Sequence, residues 1–311
     1  MFSPDGYRAL TEHAAVVRRG DRGVLVVTGS DRLSWLQGLL TNDVVALPMG
    51  GVCDAAYLTP QGRMITDLRV FNLSDGVWLD VPAPLAEALF TRLNALLFSE
   101  DAQITNRSSE LSIVEVHGPH APEMVAGLAM IRADAFDLPG FTAFVPAAAV
   151  AAFVDELTAR GAPDTNLETL DIIRIEAGRP AFLVDMDEQT IPLEAGLEER
   201  AISFTKGCYV GQEVIVRVMQ RGGGRVARKL VGLRLAKGTL PKGGEPISSG
   251  DKAIGRLTSA AWSPAVEVGI ALGYVHRDFT EPGTEVNVGT PPAQLAGQVV
   301  ALPFIQRDST T

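Results

Sequence analysis

Apolar and polar positions along this chain change their period several times, and each change marks an element. Gly23-Val24-Leu25-Val26-Val27-Thr28 is a short apolar run that predicts a strand. Ser30 follows as the expected helix N-cap, and Leu33, Leu36 and Leu40 recur at helical spacing as far as Thr41-Asn42-Asp43. Cys53 to Leu58 and Met64 to Leu73 predict two strands joined by the turn Pro60-Gln61-Gly62, a hairpin. Leu85, Leu89, Leu93, Leu96 and Leu97 predict a helix from Leu85 to Phe98. Leu111 to Val116 predicts a strand, and the alanine-rich run Pro146 to Arg160 a helix. Irregular alternation of strands and helices indicates an α+β body.

In Asn166 to Gly178, Leu167, Leu170, Ile173 and Ala177 mark one helical face, with Asn166 to cap it and Gly178 to end it. Glu176 falls in the last turn, where a carboxylate opposes the helix dipole at a cost of roughly 0.3–1 kcal/mol. Such a locally unfavourable acid is a candidate ligand residue; a solvated glutamate near a helix end is the other reading. After Arg221, Gly222-Gly223-Gly224 opens a run of short strands: Lys229 to Leu235, Ala253 to Ser259, Val266 to Val275, Glu285 to Val288 and Gln298 to Leu302. Gly/Pro turns between them indicate a small β-barrel. The expected division is an α+β region over 1–225, a barrel over 226–305 and a frayed tail over 306–311.

Composition narrows the setting. The 311 residues suggest two or three domains, and 46% hydrophobic with 21% charged residues is globular. The start, with Asp5 and Arg8, has no signal-peptide h-region, and no apolar run is long enough to span a bilayer. Two cysteines far apart exclude a disulfide framework and point to a reducing compartment, so a cytoplasmic location is expected. The four scattered histidines show no metal-ligand spacing, and no metal site is expected.

Candidate chemistry concentrates in Lys206-Gly207-Cys208-Tyr209-Val210-Gly211-Gln212-Glu213. A thiol after glycine sits where backbone can turn and ligand can approach, and Lys206 favours its thiolate. A small buried hydrophobe at a strand start is the alternative for Cys208. The net charge of −10 is unevenly spread: 164–199 carries ten acids against two arginines, and 206–234 carries seven bases against Glu213 alone. This electropositive strip suits a small anionic ligand and could make a weak RNA contact; two solvated faces are the bland reading.

Leu36 to Asp43, Arg174-Ile175-Glu176-Ala177-Gly178, Pro192-Leu193-Glu194-Ala195-Gly196-Leu197 and the Lys206 to Glu213 octet occur in the order found in YgfZ-type folate-binding proteins. That group is similar to the glycine cleavage T-protein, an aminomethyltransferase, and Gly255 to Ser259 with Ser263-Pro264 also resemble its C-terminal domain. The EAG stretches are shared across the superfamily, whereas the cysteine-bearing octet marks the YgfZ branch.

The resemblance implies an α+β, T-protein-like cloverleaf of three subdomains with a C-terminal β-barrel, the first region holding two interleaved subdomains. Tetrahydrofolate or a one-carbon derivative is the implied cofactor. Glu176 matches the pterin-binding glutamate, and Lys206, Tyr209 and Arg217 are the further folate candidates. The T-protein's paired acids correspond to Gly62-Arg63-Met64-Ile65-Thr66-Asp67-Leu68, where Thr66 replaces the first and Asp67 keeps the second. Cys208 and Asp67 are therefore the candidate catalytic residues. The implied function is an accessory role in assembly or repair of iron–sulfur enzymes, with effects on tRNA modification and with iron–sulfur client or assembly proteins as partners. A folate-dependent aminomethyltransferase or demethylase is the alternative, and enzymatic turnover stays open.

Overall fold

The structure is a computed structural model that describes residues 1–307, with Arg221 and Gly222 described through their helical backbone alone. The chain divides into two compact units. One comprises Met1–Leu170 and Glu199–Gln212; the other comprises Asp171–Glu198 and Glu213–Arg307. The division expected at 225/226 is corrected accordingly: residues 171–198 leave the first region and belong with the barrel.

The first unit holds two five-stranded sheets. Its elements begin with α1 (Pro4–Glu12), β1 (Ala15–Arg18), β2 (Arg22–Thr28), α2 (Arg32–Leu39), β3 (Val52–Leu58), β4 (Met64–Leu73) and β5 (Gly76–Pro82). They continue with α3 (Ala86–Asn94), β6 (Gln103–Asn106), β7 (Leu111–His117), α4 (Ala121–Met124), β8 (Ile131–Arg132), β9 (Gly140–Pro146), α5 (Val150–Ala159) and β10 (Asp164–Thr165). One sheet has the order β3-β4-β5-β2-β6, the other β10-β1-β7-β9-β8.

Strand alternation sorts the side chains. Leu25 and Val27 of β2 pack with Trp35 and Leu36 of α2 and Leu89 and Leu93 of α3. Val24 and Val26, on the opposite face, pack with Ile113 of β7, Trp78 and Phe144. Val114 and Val116 pack with Val154 and Leu157 of α5. The two sheets therefore lie face to face, with helices on their outer surfaces. Ser30 does not cap α2: its hydroxyl donates to Asp101 at 2.7 Å, and Asp31 occupies the cap position.

Helix α6 (Leu167–Glu176) begins where Asn166 Oδ1 accepts the Thr169 amide at 2.9 Å and ends at Gly178, whose φ is +64°. Beyond it come α7 (Glu198–Ala201) and α8 (Gln212–Gly222). The segment bearing Arg217 is helix α8.

The second unit closes six strands into a barrel: β11 (Arg228–Leu235), β12 (Pro246–Ser249), β13 (Lys252–Ser263), β14 (Val268–His276), β15 (Glu285–Val288) and β16 (Leu295–Val300). A register shift between Leu257 and Ser259 bulges β13 and turns two hydroxyls onto one carboxylate. Thr258 and Ser259 donate to Asp185 Oδ1 at 2.5 and 2.6 Å, and Arg174 Nη1 donates to Asp185 Oδ2 at 2.5 Å. The Gly255 to Ser259 motif is thereby a joint between barrel and α6. Residues 304–307 are tied down, not frayed: the Phe304 amide donates to the Glu176 carbonyl at 2.9 Å, and Arg307 pairs with the Glu176 carboxylate. The rest of the expected tail, 308–311, lies outside the described residues.

Candidate active site

Lys206 to Gly211 of the octet form an irregular segment of the first unit, Gln212 and Glu213 open α8, and the lysine anchors the segment. Lys206 Nζ donates to the carbonyls of Gln37, Leu40 and Asn42, each at 2.7 Å. These lie at the C-terminal end of α2, where carbonyls lack helical partners and a cation is favoured. Burial pushes the Lys206 ammonium down to about 8, so it remains protonated at neutral pH and supplies three N–H donors. All three are engaged. Lys206 is corrected from a folate contact to a clasp between the octet and the Leu36 to Asp43 motif.

Its neighbours follow from that clasp. Tyr209 is buried with Lys206 Nζ 5.2 Å from its ring centroid, and burial pushes the phenol up to about 12. The Val210 amide donates to the Gly38 carbonyl at 3.1 Å. Gly211 has φ +83°, and an added Cβ would lie 2.5 Å from the Thr59 carbonyl, so only glycine lets the octet close on the β3–β4 turn. Gly207, by contrast, has open space around it. Cys208 is exposed, which sets aside the buried-hydrophobe reading, whereas burial pushes the half-buried Cys53 up to about 12. Arg217 pairs with Glu213 one turn earlier in α8, at 2.5 Å.

Asp67 lies on β4 and faces the other sheet, with its side chain 26% exposed. Arg22 Nη1 donates to Asp67 Oδ1 at 3.3 Å, and Asp67 Oδ2 has no partner among the described residues. Thr66 points the opposite way, is fully buried, and donates its hydroxyl to the Asp67 carbonyl at 2.8 Å.

A buried charge chain extends from Asp67 between the sheets, and sequence reasoning missed it. Arg22 Nε donates to Asp80 Oδ1 at 2.5 Å, and Arg69 Nε donates to Asp80 Oδ2 at 2.8 Å. Arg69 also pairs with Glu115, which receives Arg19 Nη1 at 2.7 Å and lies 3.0 Å from His117 Nε2. The Asp80 and Glu115 side chains are fully buried. Burial alone would raise their pKa values, but Arg22, Arg69 and Arg19 hold Asp80 below the ordinary carboxylate range, and Arg19 and Arg69 hold Glu115 well below it. A signal existed in the sequence: Arg22, Asp67, Arg69, Asp80 and Glu115 all occupy the inter-sheet register of their strands.

In the second unit Glu176 is fully buried, with one carboxylate oxygen accepting the Ser263 hydroxyl and the other paired with Arg307. The surface-glutamate reading falls. Both of its carboxylate oxygens are thus engaged within the protein. Glu194 accepts the Ile191 amide at 3.3 Å and Arg228 Nε at 3.2 Å. Glu198 differs: its Oε2 is buried with no partner among the described residues.

No helix among the described residues is long and apolar enough to cross a membrane, and none of their His, Cys, Asp and Glu side chains group to hold a metal ion.

Known proteins share two domains with this chain. Residues 4–139 match the GCVT N-terminal domain, and residues 228–306 match the glycine cleavage T-protein C-terminal barrel domain. Two domain models of the glycine cleavage T-protein thus match this chain, one toward each end. Among its relatives, an aminomethyltransferase of Halothermothrix orenii is 27% identical, covering 97% of this chain and 93% of that protein. An aminomethyltransferase of Streptomyces avermitilis is 28% identical, covering 97% and 89%. The crystal structure of glycine cleavage system aminomethyltransferase T from Bartonella henselae has the same fold, with TM-score 0.88 and 22% identity over 99% of this chain and 91% of that one. The T-protein-like fold with its C-terminal barrel therefore stands as expected.

Proposed function

We propose that this chain binds tetrahydrofolate, the cofactor of its family, and transfers a one-carbon group from an aminomethyl donor. The observation that carries the reading is near-full-length similarity to proteins named aminomethyltransferase. Residues of the chain also suit the cofactor. An aminopyrimidine edge presents adjacent N–H donors, and a buried carboxylate oxygen without a partner is the acceptor such an edge requires. Glu198 Oε2 meets that description and replaces Glu176 as the proposed pterin acceptor.

When bound, tetrahydrofolate supplies the nitrogens that accept the one-carbon unit. Asp67 is the proposed acid–base residue, with Oδ1 fixed by Arg22 and Oδ2 without a partner among the described residues. Tyr209 and Lys206 shape the octet from within, and Arg217 stays an exposed candidate for the anionic end of the folate.

Calorimetry with tetrahydrofolate tests the reading, together with an assay of one-carbon transfer from an aminomethyl donor. Micromolar binding that weakens at least tenfold in Glu198→Gln supports it; absence of binding by the unmodified protein overturns it.

One observation favours a second reading. Cys208 is exposed at the octet's turn, the placement required of a thiol serving iron–sulfur enzyme partners or their tRNA-modifying activity. Cys208→Ala separates the two: a transferase keeps its turnover, whereas an accessory protein loses support of its client enzymes.

A further inference from the structure

The basic strip of 206–234 does not act as one surface. Lys206 is spent on three carbonyls, Arg217 on Glu213 and Arg228 on Glu194. Arg234, Arg225 and Lys229 are exposed and without a carboxylate partner among the described residues, and the last two stand close together before and at the start of β11. Both line a cavity of about 400 Å³ on the barrel unit, together with Arg277, Asp278 and Thr280.

The barrel builds this cavity. Arg228 pairs with His276 at the end of the β11–β14 ladder, and the Arg277 amide donates to the Ala227 carbonyl at 3.1 Å. These bonds hold the chain before β11 against the chain after β14, so three cations from two segments face one concavity. Asp278 is the single acid lining it, 3.8 Å from Arg277 Nε. Thr280 donates its hydroxyl to the Arg277 carbonyl at 3.0 Å, which closes the second segment as a turn. Three cations against one carboxylate leave a positive concavity on a protein of net charge −10. Such a cleft focuses field lines and concentrates counter-ions, and guanidinium forks match phosphate and carboxylate oxygens. Its volume lies within the roughly 300–1,000 Å³ of small-molecule sites.

We infer that this cavity is a binding site for a small anion of two or more negative charges, carried by phosphate or carboxylate groups. The inference is independent of the transferase reading.

Titration calorimetry at low ionic strength, with pyrophosphate and with citrate as probes, tests it. The unmodified protein is expected to bind at least one with a dissociation constant below about 1 mM, and the tighter probe identifies the oxygen chemistry preferred. The double variant Arg225→Gln/Lys229→Gln should bind at least tenfold more weakly with an unchanged melting temperature. Arg234→Gln, an exposed cation of the same strip outside the cavity, should bind as the unmodified protein does. Absence of binding by both probes overturns the site, as does equal weakening in the Arg234 variant. Binding of a single-stranded RNA oligonucleotide without either small anion would also overturn it.

Discussion

Arg22 holds Asp67 at 3.3 Å through Nη1 while its Nε engages the buried Asp80 at 2.5 Å. One guanidinium thus fixes the proposed acid–base residue to the interior of the sheet pair. Asp67→Asn should lower one-carbon transfer by about 100-fold or more while leaving tetrahydrofolate affinity within a few-fold, as steady-state kinetics and calorimetry would show. Arg22→Lys should retain more turnover than Arg22→Gln, because a cation still meets Asp80.

The inter-sheet charges set the acid response. Asp80 and Glu115 titrate below the ordinary carboxylate range in the folded chain, so unfolding takes up protons as pH falls. Their stabilisation is fully present at neutral pH and is lost as pH drops below about 4, through the depressed folded values. Urea unfolding between pH 7 and 3 should show stability falling with acid. Asp80→Asn should cost about 3 kcal/mol or more at pH 7 and flatten that dependence, since it strands Arg22 and Arg69.

Lys206→Met removes the clasp on the end of α2. Three carbonyls lose a charged donor, and a loss of about 3 kcal/mol is expected in chemical denaturation. Folate affinity measured on the folded variant should change little, because no Lys206 donor is free for a ligand.

Gly211→Ala forces a Cβ to 2.5 Å from the Thr59 carbonyl at a left-handed φ. A loss of about 1–3 kcal/mol is expected, whereas Gly207→Ala, with open space around it, should be nearly silent. Thermal melts of the two variants compare them directly.

The two thiols should separate in reactivity. At pH 8 a disulfide reagent should titrate one thiol in the folded protein, the exposed Cys208. Cys53, whose thiol is pushed up to about 12 by burial, should react only on unfolding. Cys208→Ala should abolish the fast phase.

Local pattern alone determined much of this protein. The β3–β4 hairpin, the barrel strands and the capped helix ending at Gly178 were legible because spacing, turn residues and caps act within a few positions. The likeness to the T-protein was legible because its motifs are contiguous. Roles that depend on partners distant in sequence were decided only by the tertiary structure. Lys206 looked like a ligand contact until α2's carbonyls, more than 160 residues earlier, took all its donors. Glu176 stood as either a ligand residue or a solvated acid until Ser263 and Arg307 took its carboxylate. The inter-sheet charges became one chain only when two sheets stacked. The physical reason is common to all three: sequence period states which face a residue occupies, and burial and charge depend on what that face meets.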